Sequence, residues 1–405
     1  MKLVIKKNRE VNRINKSSSI MLCIFMICVE LGNKHSLLGI KWSYWGCILF
    51  AISLFWDYVN NRLEIFSKNH NIKKFQMFLL FWFTYGFLLS LMQVLIGNTS
   101  LEGIILLGLN MSLGFFLLVN INSKNRIFRY INTVSVMILI CVVISLWELQ
   151  TGKHIVAISY FEKYNRLPFG TFYNQNDYCT FLCLGIVIQI LGIKLTNIKK
   201  NKIIYSLVIL VGGYIALETE SRASYICIAL FFVLWLIFLL GNYLMRIYSS
   251  TVLIGVLMVV LIVVCIVGGL GSILYNFDAE RMRIYQISIE WITKNFIFGY
   301  GPNKLAEITH VATHNLYLEI MGDYGIFVLF AFINYTLFNF LKTRTQVIPH
   351  ANAFFSAYSL MLPILGCSSS NIQRVRLFWI SITICYAVSN LNLKKESIGG
   401  IREDF

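Results

Sequence analysis

A histidine, His314, stands where a polar segment gives way to a long apolar run, in Thr313-His314-Asn315-Leu316-Tyr317-Leu318-Glu319-Ile320-Met321-Gly322-Asp323-Tyr324-Gly325. Near neutral pH an imidazole accepts a proton from a hydroxyl at little cost, so His314 is the candidate general base. Arginine offers a second chemistry. Arg222 follows Glu218-Thr219-Glu220-Ser221, and Arg281 and Arg283 stand close together further along. A guanidinium keeps its charge at any relevant pH and meets phosphate oxygens with a planar fork. One base with two or three arginines could hold a lipid-linked diphosphate and activate a hydroxyl beside it. Each residue also has an ordinary reading. An arginine at a helix end snorkels to the interface or pairs with Glu218 or Glu220, and His314 sits where neighbours of a helix N-cap sit. Thr313 and Asn315, like Asn174, Asn176 and Asp177, are of cap-forming types, and Gly299 and Gly301 suit a tight turn before Pro302. His35, His70, His154, His310 and His350 read as ordinary polar residues.

The elements that must position these groups are membrane helices. The 405 residues are 57% hydrophobic and 13% charged, with a mean hydropathy of +0.69. Repeated apolar runs match the about 20 helical residues needed to cross a ~30 Å hydrocarbon core. We read an all-α, polytopic membrane bundle of about 12 transmembrane helices, forming a single integral membrane domain over 1–405. The spans are 17–32, 37–58, 75–96, 104–121, 130–147, 179–195, 203–218, 222–240, 250–274, 315–341, 351–365 and 377–390. The basic N-terminus precedes an apolar run that holds Glu30 and is followed by no small-residue cleavage site, so it reads as a retained first helix.

Alternate connections carry the Lys/Arg excess, which puts both termini in the cytoplasm by the positive-inside rule. Two long loops, 148–178 and 275–314, then face outward together with a short turn at Thr219–Ser221. All the candidate residues fall on that side. The second loop holds an amphipathic piece with Ile284, Ile287, Trp291 and Ile292 on one face, as in a helix at a membrane surface. The net charge of +16 is spread through short loops, so nucleic acid is not an expected partner. The ten cysteines show no Cys-x-x-Cys and no Cys/His cluster, so neither a structural disulfide nor a metal site is expected.

The chain resembles the O-antigen ligase and polymerase family of bacterial membrane glycosyltransferases, which includes Wzy-like polymerases. Four ordered pieces carry the likeness: Gly170-Thr171-Phe172 with Asn174-Gln175-Asn176; Ser221-Arg222-Ala223; Arg281 with Tyr285 and Phe298-Gly299-Tyr300-Gly301; and His314-Asn315 with Tyr317, Leu318 and Gly325. Departures are Gln175 where the family commonly has proline, Tyr285 for tryptophan, Asp323 for glutamate and Val328 for a second glycine. The resemblance implies a GT-C-like fold in the bacterial cytoplasmic (inner) membrane, with the active site facing outward. It also implies that Arg222 and Arg281 contact the diphosphate of a polyprenyl-linked glycan while His314 activates the acceptor hydroxyl. Arg283 stands beside Arg281 as an alternative contact, and Asn174, Asn176, Ser221, Gly299, Gly301 and Asn315 are supporting residues. No cofactor is implied, and the transfer is expected to be metal-independent, single-displacement and inverting.

Three functions follow. A polymerase would join lipid-linked repeat units into capsular, O-antigen or exopolysaccharide, with a flippase and a chain-length regulator as candidate partner proteins. A ligase would use the same donor and another acceptor. A transporter or flippase for the lipid-linked sugar would instead need polar groups at mid-bilayer in several helices.

Overall fold

A computed structural model describes residues 19–31, 36–37, 40–60, 66–95, 101–121, 123–155, 167–244, 279–310, 313, 315–341, 343, 350–367 and 375–390. The expected helix at 250–274 and the candidate base His314 lie outside these residues. Among the described residues the regular structure is helical except for a two-residue antiparallel pair, β1 (Ser36–Leu37) with β2 (Ile40–Lys41). The helices are α1 (Ser19–Leu31), α2 (Trp42–Val59), α3 (His70–Leu95), α4 (Leu101–Asn120), α5 (Lys124–Thr151), α6 (Gln175–Leu195), α7 (Lys199–Glu218) and α8 (Arg222–Leu244). After a gap come α9 (Ala279–Lys294), α10 (Lys304–Thr309), α11 (Leu316–Leu341), α12 (Ala351–Gly366) and α13 (Arg376–Asn390).

Six of the described helices, α3 to α7 and α11, are long and apolar enough to cross a membrane. This is a multi-pass helical membrane protein. Helices α6 and α13 are buried along nearly their whole lengths and form its centre. Both are mainly apolar, with buried polar side chains such as Gln189 and Ser381 hydrogen-bonded, which lets them bury nearly every face. Helices α3 and α7 instead turn large apolar side chains outward, with Phe81 56% and Leu210 67% exposed. In water such faces would be a liability; in hydrocarbon they are the favoured surface.

Several helices begin earlier than the apolar runs suggest, because polar residues in a first turn still make helical hydrogen bonds. Helix α6 starts at Gln175 behind the cap of Asn174, and α5 runs on to Thr151. The helices therefore extend into the stretch read as the loop 148–178 from both sides, to Thr151 and from Gln175. Helix α2 starts at Trp42 rather than 37, since Ser36–Leu37 and Ile40–Lys41 are paired as strands. In the stretch read as the loop 275–314, α9 buries Ile284, Ser288 and Ile292 while Arg283, Ile289, Glu290 and Lys294 are exposed. Helix α9 thus has one buried side, with Ile287 and Trp291 half-buried, and α10 is an addition that the apolar pattern did not reveal.

Helix α11 is not the continuous rod expected over 315–341. Gly325 takes φ 79 and ψ 177, and a π-helical turn follows at Asn334–Phe338. The break frees backbone groups that lipid cannot satisfy, and the segment 296–301 takes them up. Tyr300 N donates to Gly322 O at 2.9 Å, Gly301 N to Asp323 O at 2.8 Å, and Ile326 N to Phe296 O at 3.1 Å.

The contacts sort the helix ends into two groups. Asn69, before α3, donates to Asn390 O at the end of α13 (2.8 Å), while Glu30 near the end of α1 accepts from Leu377 N at the start of α13 (2.8 Å). The starts of α3, α5 and α7 make up a basic end with Lys73, Lys74, Lys124, Arg126, Arg129, Lys199, Lys200 and Lys202. The end of α5, the starts of α6, α8 and α11, and the pair α9–α10 make up the other.

Candidate functional site

At this second end the separate sequence pieces meet in pairs. Asn174 caps α6 by accepting from Asn176 N (2.8 Å), which fixes the Asn176 side chain at the helix start. The Asn176 Oδ1 then accepts from Ser221 Oγ at 2.9 Å. Ser221 is buried, and Arg222 follows it as the first residue of α8. The turn before them is tied to α6 as well, since the Thr219 hydroxyl lies 3.3 Å from Cys179 Sγ. The Asn-x-Asn piece thus anchors the backbone from which Arg222 departs.

The second pair is the glycine segment and α11. Gly299 (φ 75) and Gly301 (φ 102) adopt left-handed conformations that favour glycine. A Cβ at Gly299 would lie 2.5 Å from the carbonyl carbon of Asp323, and one at Gly325 only 2.0 Å from Ile297 O. Asp323 completes the joint: its two carboxylate oxygens accept from Asn303 N (2.8 Å) and Leu305 N (2.9 Å), at the start of α10. The short carboxylate at this position therefore has a defined task here. Val328 is buried one turn beyond the break. This joint holds α9, the helix carrying Arg281 and Arg283, against α11. Arg283 is exposed.

Around His314 the described neighbours are pinned. Asn315 caps α11 by accepting from Tyr317 N (3.0 Å) and Leu318 N (3.2 Å). The buried Thr313 hydroxyl lies 3.1 Å from both Asn315 O and Glu319 Oε1. Asn315 thus acts as a cap, one of its two anticipated roles, and the residues on either side of His314 are tied to the first turn of α11.

Two acids escaped the sequence reading. Glu319 is buried, with Oε1 on Thr313 and no hydrogen-bond partner for Oε2. Glu148, also buried near the end of α5, accepts from Phe169 N and Gly170 N, each at 2.8 Å, and lies 3.2 Å from His154 Nδ1. It clamps the chain just ahead of Thr171 and Phe172, and it gives His154 a specific partner. Their signal in the sequence was a single acid inside an otherwise apolar run, which is costly unless used. Among the described residues no three His, Cys, Asp or Glu side chains converge as metal ligands.

Residues 206–333 match the family model Wzy_C, O-Antigen ligase. That stretch takes in Ser221-Arg222-Ala223, Arg281, Arg283, Gly299, Gly301, His314, Asn315 and Gly325, and leaves out Asn174 and Asn176. The chain is also 22% identical over 418 aligned positions to the teichuronic acid biosynthesis protein TuaE of Bacillus subtilis (strain 168), covering 92% of this chain and 84% of that protein. The two findings support an O-antigen ligase/polymerase-like family.

Proposed function

We propose that the protein is a membrane glycosyltransferase that polymerises polyprenyl-diphosphate-linked oligosaccharide repeat units on the outer face of the cytoplasmic membrane. The observation that carries this reading is the pairing of the pieces at one end of the bundle. Asn176 with Ser221 anchors the start of the helix that Arg222 opens, and Gly299, Gly301 and Asp323 dock the helix of Arg281 and Arg283 onto α11, which follows His314. In this reading Arg222 and Arg281, with Arg283 beside it, bind the diphosphate. His314 takes the proton of the acceptor hydroxyl as that oxygen attacks the anomeric carbon. The carbon–oxygen bond to the diphosphate breaks, and its electron pair leaves with the polyprenyl diphosphate. The arginines oppose the charge gathering on that leaving group, which needs no divalent ion. A single displacement inverts the anomeric centre.

The basic end at the starts of α3, α5 and α7 supports a cytoplasmic assignment for that end and an outward one for the site. A ligase that passes the glycan to another acceptor is the second reading, favoured by the description of the matched family. Transport is disfavoured by the placement of the buried charges. Glu30, Asp57, Glu148, Glu319 and Arg376 lie near helix ends, Asp323 inside α11 has both carboxylate oxygens engaged by Asn303 N and Leu305 N, and the backbone groups freed at Gly325 are consumed by 296–301. Purified protein reconstituted with lipid-linked repeat units tests the reading. Products longer than one repeat with released lipid diphosphate are expected, and movement of substrate across the bilayer without lengthening would overturn it.

A further inference from the structure

A crevice of about 490 Å³ lies at the basic end of the bundle, remote from the candidate site, between α1 and α5. Two facing helical stripes line it: Ile20, Cys23 and Ile27 on α1, and Asn125, Phe128, Arg129, Asn132, Thr133 and Val136 on α5. Its strongest polar groups, Arg129 and the Asn132 amide, are donors. Arg129 Nη1 is buried with no hydrogen-bond partner. The Asn132 side-chain carbonyl accepts from the Tyr205 hydroxyl (2.7 Å), which leaves its amide N–H groups as the donors it can offer to the crevice. The Thr133 hydroxyl is turned back onto Arg129 O (3.0 Å). Among the described residues no Asp or Glu lines the crevice, and one nitrogen of the half-buried guanidinium is withdrawn from solvent without a partner. Such a group is costly unless an anion meets it.

The walls change character with depth. From Asn125 to Val136 is about 16 Å along the helix, and the polar side chains give way to Ile27 and Val136. Ile20 (43% exposed) and Val136 (45% exposed) open the crevice to the outer, lipid-facing surface. A ligand that fits carries an anionic oxygen group at one end and hydrocarbon at the other, and basic pockets between transmembrane helices suit such lipids. We propose that this crevice binds the phosphate of an anionic phospholipid through Arg129 and Asn132, with an acyl chain along Ile27, Phe128 and Val136.

The full-length protein in neutral detergent is titrated with phosphatidylglycerol, phosphatidylcholine, diacylglycerol or inorganic phosphate, and bound lipid is read by native mass spectrometry. Phosphatidylglycerol is expected to bind the wild type, and Arg129→Gln to weaken it about tenfold or more, as for loss of a charge-assisted contact. Arg129→Lys should recover part of the binding. Val136→Trp, at an exposed position that folding tolerates, should also weaken it by filling the chain-binding part. Equal binding of phosphatidylcholine, unchanged phosphatidylglycerol binding in Arg129→Gln, or equally tight binding of inorganic phosphate alone would each overturn the proposal.

Discussion

The hydroxyl of Ser221 donates to Asn176 Oδ1 at 2.9 Å across 45 residues of sequence. The bond joins the start of α6 to the start of α8, and it is partly buried. Removing one partner of such a bond leaves the other without its match, which costs about 1–3 kcal/mol. Ser221→Ala and Asn176→Ala should each cut elongation about tenfold, and the double variant should be little worse than either. A double-mutant cycle on activity and thermal stability measures this, with a coupling of about 1 kcal/mol expected and additive losses counting against the link.

Base and phosphate clamp separate by kinetics. His314→Ala should abolish elongation yet leave binding of the lipid-linked donor intact, because a general base acts in the transition state. Arg222→Ala should weaken donor binding by about 1.5–3 kcal/mol, with Arg222→Lys recovering only part. Glycan gels beside donor retention in the same detergent give both readouts. Long chains made by His314→Ala would return His314 to a structural role.

Thr313 and Glu319 flank His314 and are bonded to one another (3.1 Å). Glu319→Ala leaves the Thr313 hydroxyl without this acceptor and should lower elongation more than tenfold, whereas Glu319→Gln keeps an oxygen there and should retain most of it. Donor binding should change in neither. Parallel loss of donor binding in Glu319→Ala would show that the pair holds the fold rather than the base.

Gly325→Ala puts a Cβ against Ile297 O in a backbone conformation reserved for glycine. Strain of about 1–3 kcal/mol plus the clash should lower the melting temperature in detergent and release the segment 296–301 to proteolysis. Gly213→Ala, in α7 with nothing within 4 Å of the added carbon, should leave stability unchanged or slightly raised.

Chelation tests the diphosphate account. Transfer in EDTA should equal transfer without it, since arginines oppose the charge on the leaving group. Activity lost in EDTA and restored by magnesium or manganese would assign that task to a metal ion.

Hydropathy and charge alone determined that this is a helical membrane protein, because lipid forces every spanning segment to satisfy its own backbone and to be apolar along its length. The alternation of basic connections and the amphipathic pattern of α9 were equally local, and both could be read from composition within one segment. The residue types at the site were legible for the same reason: arginine and histidine carry their chemistry wherever they are. What joins them was not. The bond from Asn176 to Ser221 and the seating of Gly299 on Asp323 connect segments that no periodicity relates, so only the packed chain decided them. The break at Gly325 is the clearest case. Gly322, Asp323 and Gly325 interrupt the apolar run there, yet no local pattern fixes a break, and the conformation is supported by the hydrogen bonds that 296–301 supplies in place of those the helix gives up. Glu148 and Glu319 follow the same rule, since a carboxylate in an apolar run becomes tolerable only when folding delivers donors from elsewhere in the chain.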